Sequence, residues 1–167
     1  RAVTLTSAGD SKAFDNTPLT NGTVTPNTPT ETTGFVSGEG ATYTVTGSQT
    51  VVGHSDNKFT YELNEGTLNG NYDITPEYGT LKVTAPDITD SKRFTVTGPA
   101  DTTYNGQIQE QPVVIHDAVT DADLVKDTDY SITYTPAKNA GTVTVTITGK
   151  GNYAGTIEGR TYVIKKR

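Results

Sequence analysis

Five aspartates crowd one short stretch of this chain, at Asp117, Asp121, Asp123, Asp127 and Asp129. Calcium takes six to eight oxygen ligands, and closely spaced aspartates in a loop supply several of them. The spacing lacks the mid-loop glycine and closing glutamate of an EF-hand, so two readings stand side by side. One is a calcium site built on Asp121, Asp123, Asp127 and Asp129; the other is a set of solvated turn aspartates. A second chemistry is a spontaneous isopeptide cross-link. It requires a neutral, buried lysine beside an amide or carboxyl group, with an acid to move the proton. Lys12 or Lys92 on an opening strand, Asn71 or Asn152 near a closing strand, and Glu158 as the acid are the candidates. Exposed lysines and turn-forming asparagines account for the same residues without any bond.

Sugar recognition is the third chemistry. It uses exposed aromatic faces flanked by carboxylates or amides. There is no tryptophan, and the nine tyrosines carry the question. Tyr72, Tyr104, Tyr130 and Tyr153 recur at corresponding points of two halves, which assigns them to cores and corners. Tyr43, Tyr61 and Tyr78 remain as contact candidates. Catalysis has less to build on. His54 and His116 are isolated, with no serine or aspartate spaced as a triad would need, and the chain reads as non-enzymatic.

The elements that hold these residues are strands. Thr142 to Thr148 alternates threonine with Val143, Val145 and Ile147, the period-two pattern of a half-buried antiparallel strand. A Pro/Asn/Gly turn joins it to Ser131–Thr135. Further strands are expected at 42–46, 59–63, 79–84, 92–97, 113–115, 130–134 and 160–165. Asn21-Gly22, Asn69-Gly70 and Asn105-Gly106 are expected to turn through positive φ. One helical turn is expected at Asp121–Lys126. The segment from Asn21 to Glu31 reads as an exposed loop or irregular edge strand.

Composition agrees with an all-β chain. Hydrophobic residues are only 32% of the 167, and 34 threonines take much of the remainder. Threonine suits a pleated strand while its hydroxyl faces water. Regularly spaced aromatic and β-branched residues distinguish the chain from a disordered one. The net charge of −6 leaves only Lys165-Lys166-Arg167 as a basic run, which argues against nucleic acid and anionic membrane as partners. The absence of cysteine removes disulfides, thiol catalysis and thiolate metal sites. It suits the extracellular protein of a Gram-positive bacterium better than a secreted animal domain. No apolar span is long enough for a membrane. Both ends read as cuts inside a longer polypeptide.

Two modules are expected, residues 1–86 and 87–167, divided where Pro86 stops a ladder. Each has an opening strand and then an aromatic turn, Phe14-Asp15-Asn16 or Tyr104-Asn105-Gly106. Each carries an Asn-Tyr pair ahead of its last strand, Asn71-Tyr72 or Asn152-Tyr153. Such recurrence is the mark of tandem arrays.

The second module, through Tyr104–Gly106, Pro112–Ile115, Asp129–Tyr134, Asn139–Thr142 and Gly149–Gly155, resembles a repeat of Gram-positive surface proteins. The first, through Lys12–Thr20, Val45–Thr50, Val52-Gly53, Asn71–Ile74 and Gly79–Leu81, resembles its companion. Both are similar to MBG-type, β-grasp-related modules of adhesins and cell-wall-anchored proteins. The resemblance implies a displayed, non-catalytic stalk or adhesive repeat, with neighbouring repeats as partners and no cofactor. The alternative is a module that binds carbohydrate or host glycoprotein.

Overall fold

A computed structural model describes residues 1–167. The protein is all-β, with no α-helix and one 3-10 turn at Asn69–Asn71. It divides into two compact units, Arg1–Thr84 and Ala85–Arg167.

The first unit holds eight strands: β1 (Ala2–Ser7), β2 (Asp10–Ala13), β3 (Val24–Pro26), β4 (Ala41–Val45), β5 (Gly53–Asp56), β6 (Phe59–Leu63), β7 (Asp73–Glu77) and β8 (Thr80–Thr84). β1 pairs parallel with β7, from Ala2↔Asp73 to Thr6↔Glu77. β2 pairs parallel with β8, from Asp10↔Leu81 to Ala13↔Thr84. The offset is 71 residues in both, so the opening and closing strands form one long parallel pair with a break in the middle. β3 borders β1 and β5 borders β8, both antiparallel. β4 and β6 make a separate antiparallel pair.

Alternation fixes the faces. Val3 and Leu5 of β1 are buried with Phe35, Phe59 and Tyr72, while the intervening residues face outward. Leu81 and Val83 do the same on β8. Phe35 and Tyr72 meet edge to face with ring centroids 5.0 Å apart.

The second unit holds β9 (Phe94–Thr97), β10 (Thr102–Thr103), β11 (Val114–Asp117), β12 (Ala122–Asp123), β13 (Tyr130–Tyr134), β14 (Gly141–Gly149) and β15 (Thr156–Lys165). One sheet runs β10-β15-β14-β13 and another β12-β11-β9. β13, β14 and β15 form an antiparallel meander in which Val143, Val145 and Ile147 are 0–1% exposed. The opening segment meets the closing one twice in parallel, at Asp87↔Ala154 and again at Thr102↔Ile164 and Thr103↔Lys165. Between these points the chain leaves as β9 to pair with β11.

Several local expectations are corrected. Asp121–Lys126 is not a helical turn: Asp121 sits at φ +53, and Ala122–Asp123 pairs with β11. The reason lies outside the segment, since Ile115 O accepts the Leu124 N–H at 2.8 Å and draws it out straight beside β11. Gly22 and Gly70 do not use positive φ, whereas Asn16 (+62) and Gly106 (+83), the closing residues of the two aromatic turns, do. Tyr104 is 37% exposed rather than a core residue. The 21–31 segment, by contrast, follows one of its two expected readings: it contributes β3, an edge strand on β1.

Candidate functional site

The four candidate calcium ligands do not converge. Asp121 and Asp123 flank His116, with Nε2 3.7 Å from Asp121 Oδ1 and Nδ1 2.9 Å from Asp123 Oδ1. Asp127 and Asp129 belong instead to the turn before β13, where Asp129 Oδ2 accepts the Val125 N–H at 2.8 Å. Asp127 sits at φ +67, and its carbonyl accepts a hydrogen bond from Lys150 Nζ. No group of three or more His, Asp or Glu side chains is arranged so that it could hold a metal ion.

Asp117 stands apart from that run. It is fully buried, and Arg93 grips it in a fork, Nε to Oδ1 at 2.8 Å and Nη2 to Oδ2 at 2.7 Å. The Val119 N–H donates to Oδ1 at 2.9 Å and the Tyr153 hydroxyl to Oδ2 at 3.3 Å. Burial pushes the carboxyl up, but the bonds from Arg93 and Val119 and the Arg93 charge outweigh it and leave it below its ordinary value. Arg93 also lies 5.2 Å from the centroid of Phe94, whose ring meets Tyr153 edge to face. This cluster ties the start of β9 to the end of β11 and to the 152–153 corner.

The cross-link candidates are separated by the strand register. Asn71 lies just before the Ala2↔Asp73 pair, whereas Lys12 is level with Val83 at the other end of the same parallel pair. Ten residues of strand lie between them, roughly 33 Å. Lys12 Nζ is ion-paired with Asp15 at 2.6 Å and bonded to Thr17 at 2.6 Å. The Lys12 bond first, and then the Thr17 hydroxyl and N–H donating to the same Oδ1, lower Asp15 to about 2. In the second unit Lys92 and Glu158 are both exposed, so neither meets the desolvation that the chemistry needs. Asn152 is half-buried in the corner beside Gly151, which sits at φ +65.

Of the sugar-contact candidates, Tyr43 and Tyr61 pack against the first unit's core, which corrects their reading as exposed residues. Tyr78 is 41% exposed and leans edge-on against Phe59 at 5.5 Å. A groove of about 600 Å³ is lined by Tyr43 together with Pro26, Pro29, Val36 and Glu39.

Polar side chains that sequence patterning missed hold the strands where they break. In the first unit the breaks after β1, β5 and β7 lie at one level. There Ser7 Oγ donates to Asn57 O at 2.6 Å and accepts the Gly79 N–H at 3.0 Å. Asn57 N–H bonds Gly79 O at 2.7 Å, and its Nδ2 donates to Ala8 O and Asn21 O. Ser7 and Asn57 are 1% and 0% exposed. Gly47 admits Asn57, since a Cβ there would overlap the Asn57 backbone. In the second unit Arg160 of β15 donates to the carbonyls of Val96 and Gly98, spanning from the closing strand to β9. Arg1 bonds the carbonyls of Thr30, Glu31, Thr33 and Gly34, pinning the loop after β3. The only sequence signal for such a role was an arginine or asparagine interrupting strand alternation.

No family model and no curated protein matches this chain. No helix is long and apolar enough to cross a membrane.

Proposed function

We propose that the chain is a non-catalytic, load-bearing stalk segment of a Gram-positive cell-surface protein, built from tandem modules. One observation carries the reading: in each unit the opening and closing strands run parallel. The chain therefore enters a unit at one end of the pair and leaves at the other. Tension along such a pair shears its inter-strand hydrogen bonds, which lie across the strands, and loads them together rather than one at a time. Polar side chains tie these segments to their neighbours, buried Ser7 and Asn57 in one unit and half-buried Arg160 in the other. Thr-rich outer faces keep such strands soluble without a large core. The resemblance to MBG-type modules of adhesins supports the same reading, in which the segment lies outside the cell with neighbouring modules as its partners.

The second reading, binding of carbohydrate or host glycoprotein, draws support from exposed Tyr78. Glycan arrays separate the two. The isolated chain should bind no glycan above background; saturable binding that disappears in Tyr78→Ala would favour the second reading and count against a pure stalk.

A further inference from the structure

We propose that the open edge of β4, with the groove beside it, is a strand-addition site for an extended, positively charged peptide segment of another chain. The register of β4 against β6 sets which backbone groups are free. Gly40 O accepts the Asn64 N–H and Lys58 O accepts the Thr46 N–H. In an antiparallel pair the bonded residues alternate, so Thr42 and Thr44 also bond toward β6. The N–H and C=O groups of Ala41, Tyr43 and Val45 therefore point away from β6, and β4 has no second neighbour.

Most other sheet edges in the two units are guarded. β3 carries Pro26 and β7 Pro76; β2 carries Asp10 and Lys12; β5 carries His54 and Asp56; β6 carries Glu62. Arg160 covers the Val96 carbonyl of β9. At β13 the preceding turn covers the opening end, where the Asp127 N–H bonds Tyr130 O, and Tyr130 and Tyr134 hold the 111–113 segment against one face. β10 and β12 are two residues long. Charges, proline, shortness and cover are the usual protections against edge pairing, and β4, Ala-Thr-Tyr-Thr-Val, has none of them.

Room for a partner lies alongside. The groove of about 600 Å³ is lined by Ala41 and Tyr43 of this strand together with Pro26 and Pro29. Prolines offer carbonyls but no competing N–H. Glu39 is the only charged side chain of the lining, and it is in no ion pair; its Oε2 accepts the Tyr72 hydroxyl at 2.5 Å. Unpaired backbone groups at strand spacing select an extended peptide, and Glu39 selects a lysine or arginine on it. This inference stands independently of the stalk reading.

The test uses the full chain and two synthetic peptides, acetyl-Thr-Val-Thr-Val-Lys-amide and its counterpart with glutamate for lysine. Amide hydrogen exchange is followed by NMR. In the free chain the Ala41, Tyr43 and Val45 amides should exchange with little protection. At ten times the dissociation constant the lysine peptide should slow them about tenfold. It should bind about two- to fivefold tighter than the glutamate peptide, the range of an exposed ion pair, and Glu39→Gln should erase that difference. Ala41→Pro removes an edge donor at a strand-opening position that tolerates proline, and should weaken both peptides while the β4–β6 amides stay protected. Absence of slowing at millimolar peptide, protection on another edge instead, or equal affinity for the two peptides overturns the proposal.

Discussion

Asp117→Asn removes one charge from the second unit with almost no change of shape. The side chain is fully buried and the Arg93 that grips it is 11% exposed, so the substitution leaves a guanidinium with little water and no counter-charge. Breaking a buried pair from one side costs about 3–5 kcal/mol. The residual exposure of Arg93 and the amide's retained ability to accept hydrogen bonds place this case near the lower bound, about 3 kcal/mol. For a unit of this size that lowers the melting temperature by roughly 12–24 °C. Calorimetry of the full chain reads the loss as a downward shift of one transition. The double variant Arg93→Met with Asp117→Leu should recover most of it, because an apolar replacement needs no compensation. The pH dependence carries a second signature. The folded carboxyl titrates below its unfolded value, so its stabilisation is present above about pH 4 and fades as pH falls through the folded pKa. Asp117→Asn should flatten that acid limb. A shift under 3 °C with an unchanged acid limb would refute the claim that this pair fastens β9 to β11.

Other outcomes follow from single contacts. Ser7→Ala leaves the half-buried Gly79 N–H and the buried Asn57 O without their shared hydroxyl, and should cost about 1–3 kcal/mol in urea denaturation. Gly47→Ala should destabilise the first unit by about 1–3 kcal/mol through overlap with Asn57, read by the same assay. The Asp15 carboxyl should titrate near 2 by NMR, and Lys12→Ala should move it back toward 3.8. Millimolar calcium, or a chelator, should leave the melting temperature unchanged, because Asp121 and Asp123 face His116 while Asp129 binds its own turn.

Strands with clean alternation were legible. Val143, Val145 and Ile147 read as inward residues and are buried, and 59–63 and 130–134 coincide with β6 and β13. The polar fastenings were not. Asp117 looks like one more member of a solvated acid run, because its burial is decided by Arg93, 24 residues earlier. Asn57 resembles a turn residue, yet its contacts are to Ala8, Asn21 and Gly79. Tyr43 looks exposed from sequence because alternation names two faces without saying which one finds a core; Phe59 on β6 decides it. Asn69-Gly70 has turn chemistry but closes a 3-10 turn without positive φ. The parallel pairing of opening and closing strands carries no local signature, since its partners lie 71 residues apart in the first unit.

The shear geometry of that parallel pair is tested most directly by single-molecule pulling in two directions. Handles at the two chain ends load both parallel pairs along their length. Each unit should then release in one step, lengthening by about 300 Å of extended chain. Handles at Arg1 and at Asp73→Cys instead peel β1 from β7 at the Ala2↔Asp73 end, opening one bond at a time. The load-bearing account predicts that the first unit yields at clearly higher force end to end than when peeled. Equal forces in the two directions, or a weaker end-to-end response, would contradict it.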